Sequence, residues 1–369
     1  MEKYTDALNY ILNTKNNKMN LGDITVAYWA VDKENKCEDL FAEFFNKKSD
    51  KEDAAGTEDI LRKLISSAKN GGLLESQISD LNDIDPNVDF YIVGLKPNAA
   101  RLAVKFIYHR KYGQILQNIA KHQSDLQINE DIDEIVTISE IQEAINPFKQ
   151  KENAKGKKEK KEEEIVNPEI VTKIFKSIIY GYRYPEALLS ATLNRFKIDA
   201  SKVDSEEDVK NKKLRKSRCR LQAGIIKACI NRKSLNGEEL KMSLDENNQN
   251  SAYICGRLFA VLEKIQQGSA GNGLNRTIKN SYFSSACSRP ASVFPQILKL
   301  SQCHLEKLED EGFKIHYKKL IGTIIDRLAG SFPKHFSLDD QGRFIIGYYH
   351  QVQDLYKSKK EQNYNEEEI

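Results

Sequence analysis

The chain has 369 residues with 57 basic and 54 acidic side chains, a net charge of only +3, so a functional reading must rest on where the charges sit rather than on their sum. Its length allows two or three domains with real cores. No charged-then-apolar leader opens it and no apolar run approaches membrane-spanning length, which points to a cytoplasmic chain with no membrane partner. The six cysteines (Cys37, Cys219, Cys229, Cys255, Cys287, Cys303) include no C-x-x-C pair and no zinc-type spacing with histidine, so free thiols and no metal are expected. Cys229 and Cys303 fall on apolar helical stripes and read as small buried hydrophobes.

Taken in order, residues 1–148 read as an α+β domain. Ile24 to Val31 and Phe90 to Val93 are β-branched and aromatic runs bounded by Gly, Asp and Pro, the pattern of buried strands. Between them, Ile60, Leu61, Leu64 and Ile65 give Glu58 to Lys69 a helical period, stopped at Asn70-Gly71-Gly72. After Pro97, Asn98 reads as the N-cap of a long helix carrying Arg101, Lys105 and His109 on one side, where they would contact nucleic acid or a subunit. Residues 149–167 begin with KQKENAKGKKEKKEEE, which cannot bury a core and reads as a charged linker.

From Pro168 the pattern becomes helical. Residues 168–241 carry Ile174, Ile178, Leu188, Leu189 and Leu193, broken at Gly181 and Pro185, and close on a basic run. Residues 242–369 read as an antiparallel helical bundle. Its stripes are Ile254, Leu258, Val261 and Ile265; then Phe294, Ile297, Ser301, Leu305 and Leu308; then Tyr317, Ile321, Ile324 and Leu328; and last Phe344, Tyr348, Val352 and Leu355 behind an N-cap at Ser337. The loop GSAGNG at Gly268 to Gly273 reads as a connector rather than a nucleotide loop.

The basic run VKNKKLRKSRCRLQAGIIKACINRK is the most informative stretch. It contains Lys210, Lys212, Lys213, Arg215, Lys216, Arg218, Arg220, Lys227, Arg232 and Lys233 with no acid. At helical spacing Leu214, Leu221, Ile225 and Cys229 form one stripe, and Lys213, Lys216, Arg220 and Lys227 another face. An acid-free basic face of this length is the electrostatic footprint of phosphate-backbone binding. Lys213, Lys216, Arg220 and Lys227 are the leading DNA contacts, with Arg215 and Arg218 next. On the final helix Tyr349 and His350 lie off the core stripe and are candidates for base or subunit contact, whereas Tyr348 belongs to the stripe.

No phosphate-cradling loop, nucleophile elbow or H-E-x-x-H motif occurs, and the six histidines have no metal-ligand spacing. No catalytic residue and no cofactor is therefore expected. A helical interaction scaffold that meets an acidic protein, without nucleic acid, is the alternative from a different class.

Six segments in order, IVGLKPNAARLAVKF, YGYRYPEALLSATLNR, IIKACINR, YICGRLFAVLEKIQ, YFSSACSRPASVFPQILKLSQCHLEKL and DDQGRFIIGYYHQVQDLY, resemble the large subunit of the type I-C CRISPR surveillance complex, Cascade. The resemblance implies a subunit without nuclease activity, partnered by crRNA-bearing backbone subunits. It would support PAM recognition, stabilise the opened target and displaced DNA strands, and dock a helicase-nuclease. It also implies that the family's N-terminal region is missing here, so PAM reading is assigned to no residue. Met242, the only methionine after Met19, would be the internal start of a small-subunit product, Met242 to Ile369. Arg257, Arg276, Lys279, Arg289 and Arg343 lie within these motifs as weaker contacts.

Overall fold

The computed structural model describes residues 17–21, 23–30, 36–45, 63, 85–98, 101–128, 135–145, 168–203, 209–233, 243–270, 277–328 and 330–366. Apart from Lys63, the helix expected over Glu58–Lys69 lies outside them, as do residues 149–167, Met242 and Arg276. The chain divides into two compact units, one of Met1–Leu126 with Asp133–Leu188, the other of Gln127–Ile132 with Leu189–Ile369. An α+β region followed by helices is the architecture expected above.

In the first unit β1 (Lys18–Leu21), β2 (Ile24–Ala30), β3 (Asp89–Asn98) and β4 (Arg101–Lys111) form one antiparallel sheet in sequence order. Helix α1 (Lys36–Phe45) places Cys37, Leu40, Phe41 and Phe44 at i, i+3, i+4 and i+7, all buried. Phe41 meets Tyr28 of β2 at 4.8 Å and Phe90 of β3 at 5.0 Å between ring centroids, which fixes α1 against the sheet. Phe90 in turn meets Tyr112 at 5.0 Å, and the Tyr112 hydroxyl donates to the Cys37 carbonyl at 2.7 Å. Helices α2 (Tyr112–Leu126), α3 (Ile138–Ile145) and α4 (Pro168–Tyr180) complete the unit.

The long helix expected after Asn98 is a correction. Residues 101–111 are strand β4, hairpin-paired with β3, and the helix starts only at Tyr112. RLAVKFIYHRK is rich in β-branched and aromatic residues, and the β3 edge offers it a full ladder of hydrogen bonds, which outweighs an N-cap signal at Asn98. Arg101 and Lys105 therefore lie on a strand. Lys105 is the extra residue of a bulge, because Gly94 pairs with Phe106 and Leu95 with Val104. His109 stacks on Tyr91 at 4.4 Å and meets Asp89 at 2.9 Å.

The second unit takes in α5 (Glu186–Lys202) from Leu189 onward, α6 (Val209–Asn231), α7 (Ser251–Ala270), α8 (Ile278–Ser288), α9 (Pro290–Glu306), α10 (Glu311–Ile325) and α11 (Leu338–Glu366). The stripes read for α7, α9 and α11 are buried at Ile254, Leu258, Val261 and Ile265, at Phe294, Ile297, Ser301 and Leu305, and at Phe344, Tyr348 and Leu355. Ser337 caps α11: its hydroxyl accepts from the Asp340 amide at 3.1 Å and donates to the Asp340 carboxylate at 2.8 Å. Helix α8 was not anticipated. Its N-cap Thr277 accepts from Asn280 N, and its Phe283 lies among Phe259, Phe344 and Tyr348 at 5.2, 5.5 and 5.1 Å. Cys303 is exposed, which corrects its reading as a buried hydrophobe; Cys229 is buried as read.

Helices α7 and α11 lie backbone against backbone at two glycines. Contacts advance together along both, from Tyr253 with Gly347, through Arg257 with Gln351, to Lys264 with Tyr356, so the two run in the same direction. Two glycines allow this approach. A Cβ on Gly256 would lie 1.9 Å from the Phe344 carbonyl oxygen, and one on Gly347 would lie 2.2 Å from that of Tyr253. Both obstacles are backbone, so no rotamer change relieves them. Gly347→Ala is expected to lower stability by about 1–3 kcal/mol or more, as overpacking does. A denaturant midpoint unchanged from the parent would show that the helices are not in this contact.

Candidate nucleic-acid interface

Helix α6 is one helix with two environments. From Gln222 to Ile230 every residue is buried, while Lys213, Lys216 and Arg220 in the first half are exposed. The apolar stripe does not run the whole length, because Leu214 is 54% exposed. The ten basic residues of the run accordingly have different fates.

Lys227 is 3% exposed, and its Nζ donates to the Gln127 carbonyl at 2.8 Å within the same unit. It leaves the phosphate-facing set. The physical reason is that residues 222–230 are enclosed on all sides, so helical spacing from Arg220 no longer implies a shared solvent face. Arg215 and Arg218 are also corrected, since both turn inward to Asp199 of α5, which is 0% exposed. Arg215 Nη1 lies 3.1 Å from Oδ1 and Arg218 Nε 3.2 Å from Oδ2. Arg195 closes the other side with Nη2 at 3.0 Å and Nε at 3.2 Å, and Gln222 Nε2 donates at 2.9 Å. Burial holds the Arg218 pKa below its ordinary value, and the Asp199 charge opposes that shift. Lys233 pairs with Asp339 at 3.3 Å, and Arg232 is half-buried. Lys212 is half-buried, and of Lys210 only the backbone is described.

Lys213, Lys216 and Arg220 remain as an outward row at i, i+3 and i+7, and among the described residues they enter no salt bridge. The last two reach the mouth of a cavity of about 440 Å³ enclosed by α6, α7, α8 and α11. Its floor is a polar chain: Lys279 Nζ donates to the Tyr348 hydroxyl at 2.9 Å, that hydroxyl donates to Glu263 at 2.6 Å, and Gln267 donates to Glu263 at 3.1 Å. On the rim Lys264 Nζ sits 4.3 Å from the Tyr356 ring centroid, a cation–π contact.

The weaker candidates separate in the same way. Lys279 lines the cavity, and Arg289 is exposed at the N-cap of α9. Arg343 is half-buried. Arg257 is buried, with Nε donating to Gln351 at 3.0 Å, so it is removed from the contact set. Tyr349 lines the cavity with its ring 5.9 Å from Phe196, and burial pushes its hydroxyl pKa well above the ordinary value. His350 is 1% exposed and bonded through Nδ1 to the Tyr253 hydroxyl at 2.8 Å, which corrects its reading as a base contact. Burial, followed by the nearby Lys227 charge, lowers its pKa to about 4. Both departures from the stripe have one cause: α11 is covered on more than one face, so a residue off the main stripe meets a second neighbour instead of water. Lys264 and Glu263 escaped the sequence reading because they interrupt an otherwise apolar helix without forming a charge cluster.

The cysteine of this wall, Cys219, is buried and its thiol pKa is pushed up to about 12, so it is inert as a nucleophile. Among the described residues no group of three or more His, Cys, Asp or Glu side chains is placed to hold a metal ion, and no helix is long and apolar enough to cross a membrane.

The second unit thus sets an exposed basic row beside a cleft lined by tyrosines. The family model described as CRISPR-associated protein (Cas_Csd1) matches residues 1–356, and the chain belongs to that family. Membership implies a CRISPR-associated large subunit of the Cascade type. No curated protein matches the chain significantly.

Asp199 is the acid on which the basic helix depends. Removing one partner of a buried charge cluster leaves the others uncompensated, so Asp199→Ala is expected to cost about 3–5 kcal/mol in denaturant unfolding. A loss below about 1 kcal/mol, the scale of exposed pairs, would contradict the buried network.

Proposed function

We propose that the chain is the non-catalytic large subunit of a type I-C Cascade complex. It binds crRNA-bearing backbone subunits, supports crRNA-guided pairing with target DNA, holds the opened strands of the R-loop, and presents a surface to a recruited helicase-nuclease. The product starting at Met242 serves beside it as the small subunit. The observation that carries this reading is the row Lys213, Lys216 and Arg220, exposed and outside any described salt bridge, in a chain of the Cas_Csd1 family.

The energetics favour such a device. Exchanging a DNA duplex for an RNA–DNA heteroduplex is nearly balanced, so a few cationic contacts to phosphate can tip it without base-specific chemistry. An acid-free outward row suits a backbone track, because its cations are not already neutralised from within the helix. Arg215 and Arg218, held on Asp199, contribute rigidity to the same segment instead of direct contact.

The triple variant Lys213→Glu, Lys216→Glu, Arg220→Glu is expected to weaken DNA binding and to reduce the slope of log affinity against log salt by about 2 to 3, at about 0.7–0.9 per lost phosphate contact. Affinity and slope both unchanged would overturn the assignment and move the scaffold reading ahead.

A further inference from the structure

The cleft in the second unit has a composition that a simple backbone track does not need. Among the described residues its charged lining is Lys216, Arg220, Lys264 and Lys279 with the carboxylate of Glu263, and Lys216 and Arg220 enter no salt bridge there. That excess of positive charge selects an anionic ligand. The volume of about 440 Å³ falls within the roughly 300–1,000 Å³ of small-ligand sites. Beside the cations stand tyrosine rings and an apolar wall of Val352 and Leu355. Phosphate-binding cations next to aromatic and aliphatic surface match a nucleotide, which carries an anion and a flat π-face on one unit.

We propose that this cleft receives a single nucleotide unit, with its base against Tyr356 and its phosphate at Lys216 and Arg220. Tyr356 is 53% exposed, so its ring is accessible at the rim, and Lys264 lies against it at 4.3 Å. Glu263 supplies a fixed acceptor at the floor, already oriented by Tyr348 and Gln267, where a base N–H, such as the ring N3–H of a thymine, can donate. Lys213, one turn before Lys216 on the same face, continues the positive track away from the cleft. A strand following α6 would therefore pass its backbone along the row and turn one base inward. This assignment rests on the reading of the chain as a DNA-binding subunit; the same chemistry also fits a free nucleotide, and the experiment separates the two.

The test uses the full chain, a single-stranded oligonucleotide carrying 5-iododeoxyuridine for photo-crosslinking with peptide mapping, and dTMP as the free-nucleotide probe. Crosslinks are expected on the α11 peptide containing Tyr349 and Tyr356. Tyr356→Ala is expected to weaken oligonucleotide binding on the order of tenfold, with Tyr356→Phe retaining affinity because it keeps the ring. Tyr356 is surface-exposed, so an unchanged unfolding midpoint serves as the folding control. Oligonucleotide binding unaffected by Tyr356→Ala, with crosslinks confined to other segments, would overturn the pocket and leave the DNA-binding reading standing. Binding of dTMP, lost in Tyr356→Ala, without oligonucleotide binding would support the pocket as a free-nucleotide site and overturn the strand reading. Binding of neither probe would overturn both.

Discussion

The second unit depends on one carboxylate. Asp199 is fully buried, and it draws Arg195, Arg215 and Arg218 together with Gln222 onto its two oxygens. A lone buried acid would be prohibitive, and three arginines near one another would repel; each makes the other tenable. The consequence reaches beyond stability. Fixing Arg215 and Arg218 inward sets the rotation of α6, and that rotation places Lys213, Lys216 and Arg220 on the outer face. The run thus divides into residues that hold the helix and residues left exposed on its outer face.

The same helix closes the cleft. Its second half is enclosed where Ile226 and Ile230 pack close to Gly342 of α11, and its first half borders the tyrosines and Lys264. Helix α11 is itself drawn tightly against α7 through Gly256 and Gly347. Two close packings therefore position the candidate site: glycine contact between α7 and α11, and the ion cluster that orients α6. Neither requires chemistry at the site itself.

Much of this architecture was legible in the sequence. The strands at Ile24 and Phe90, the helical stripes of the second unit and the Ser337 cap follow from period and local capping, which act over a few residues. Strand β4 was not legible, because RLAVKFIYHRK satisfies both a capped helix and a hairpin partner, and only the neighbouring β3 edge decides between them. Helix α8 was missed since SYFSSACS has few large apolar residues; Phe283 packs with Ile278 and the small side chains of Ala286 and Cys287. Within the basic run, composition located the helix correctly, yet could not separate Lys227, which is buried on Gln127, from Lys216, which is exposed. That distinction, like the capture of two arginines by Asp199, depends on residues distant in sequence.

The central claim is that Lys213 and Lys216 face nucleic acid phosphate, and lysine acetylation footprinting of the full chain with and without bound DNA tests it most directly. Lys318 and Lys319, exposed on α10, serve as reference sites, and buried Lys227 should react poorly in both states. The account predicts that DNA protects Lys213 and Lys216 while the α10 lysines react as before. Equal reactivity of Lys213 and Lys216 in the free and DNA-bound states would contradict it.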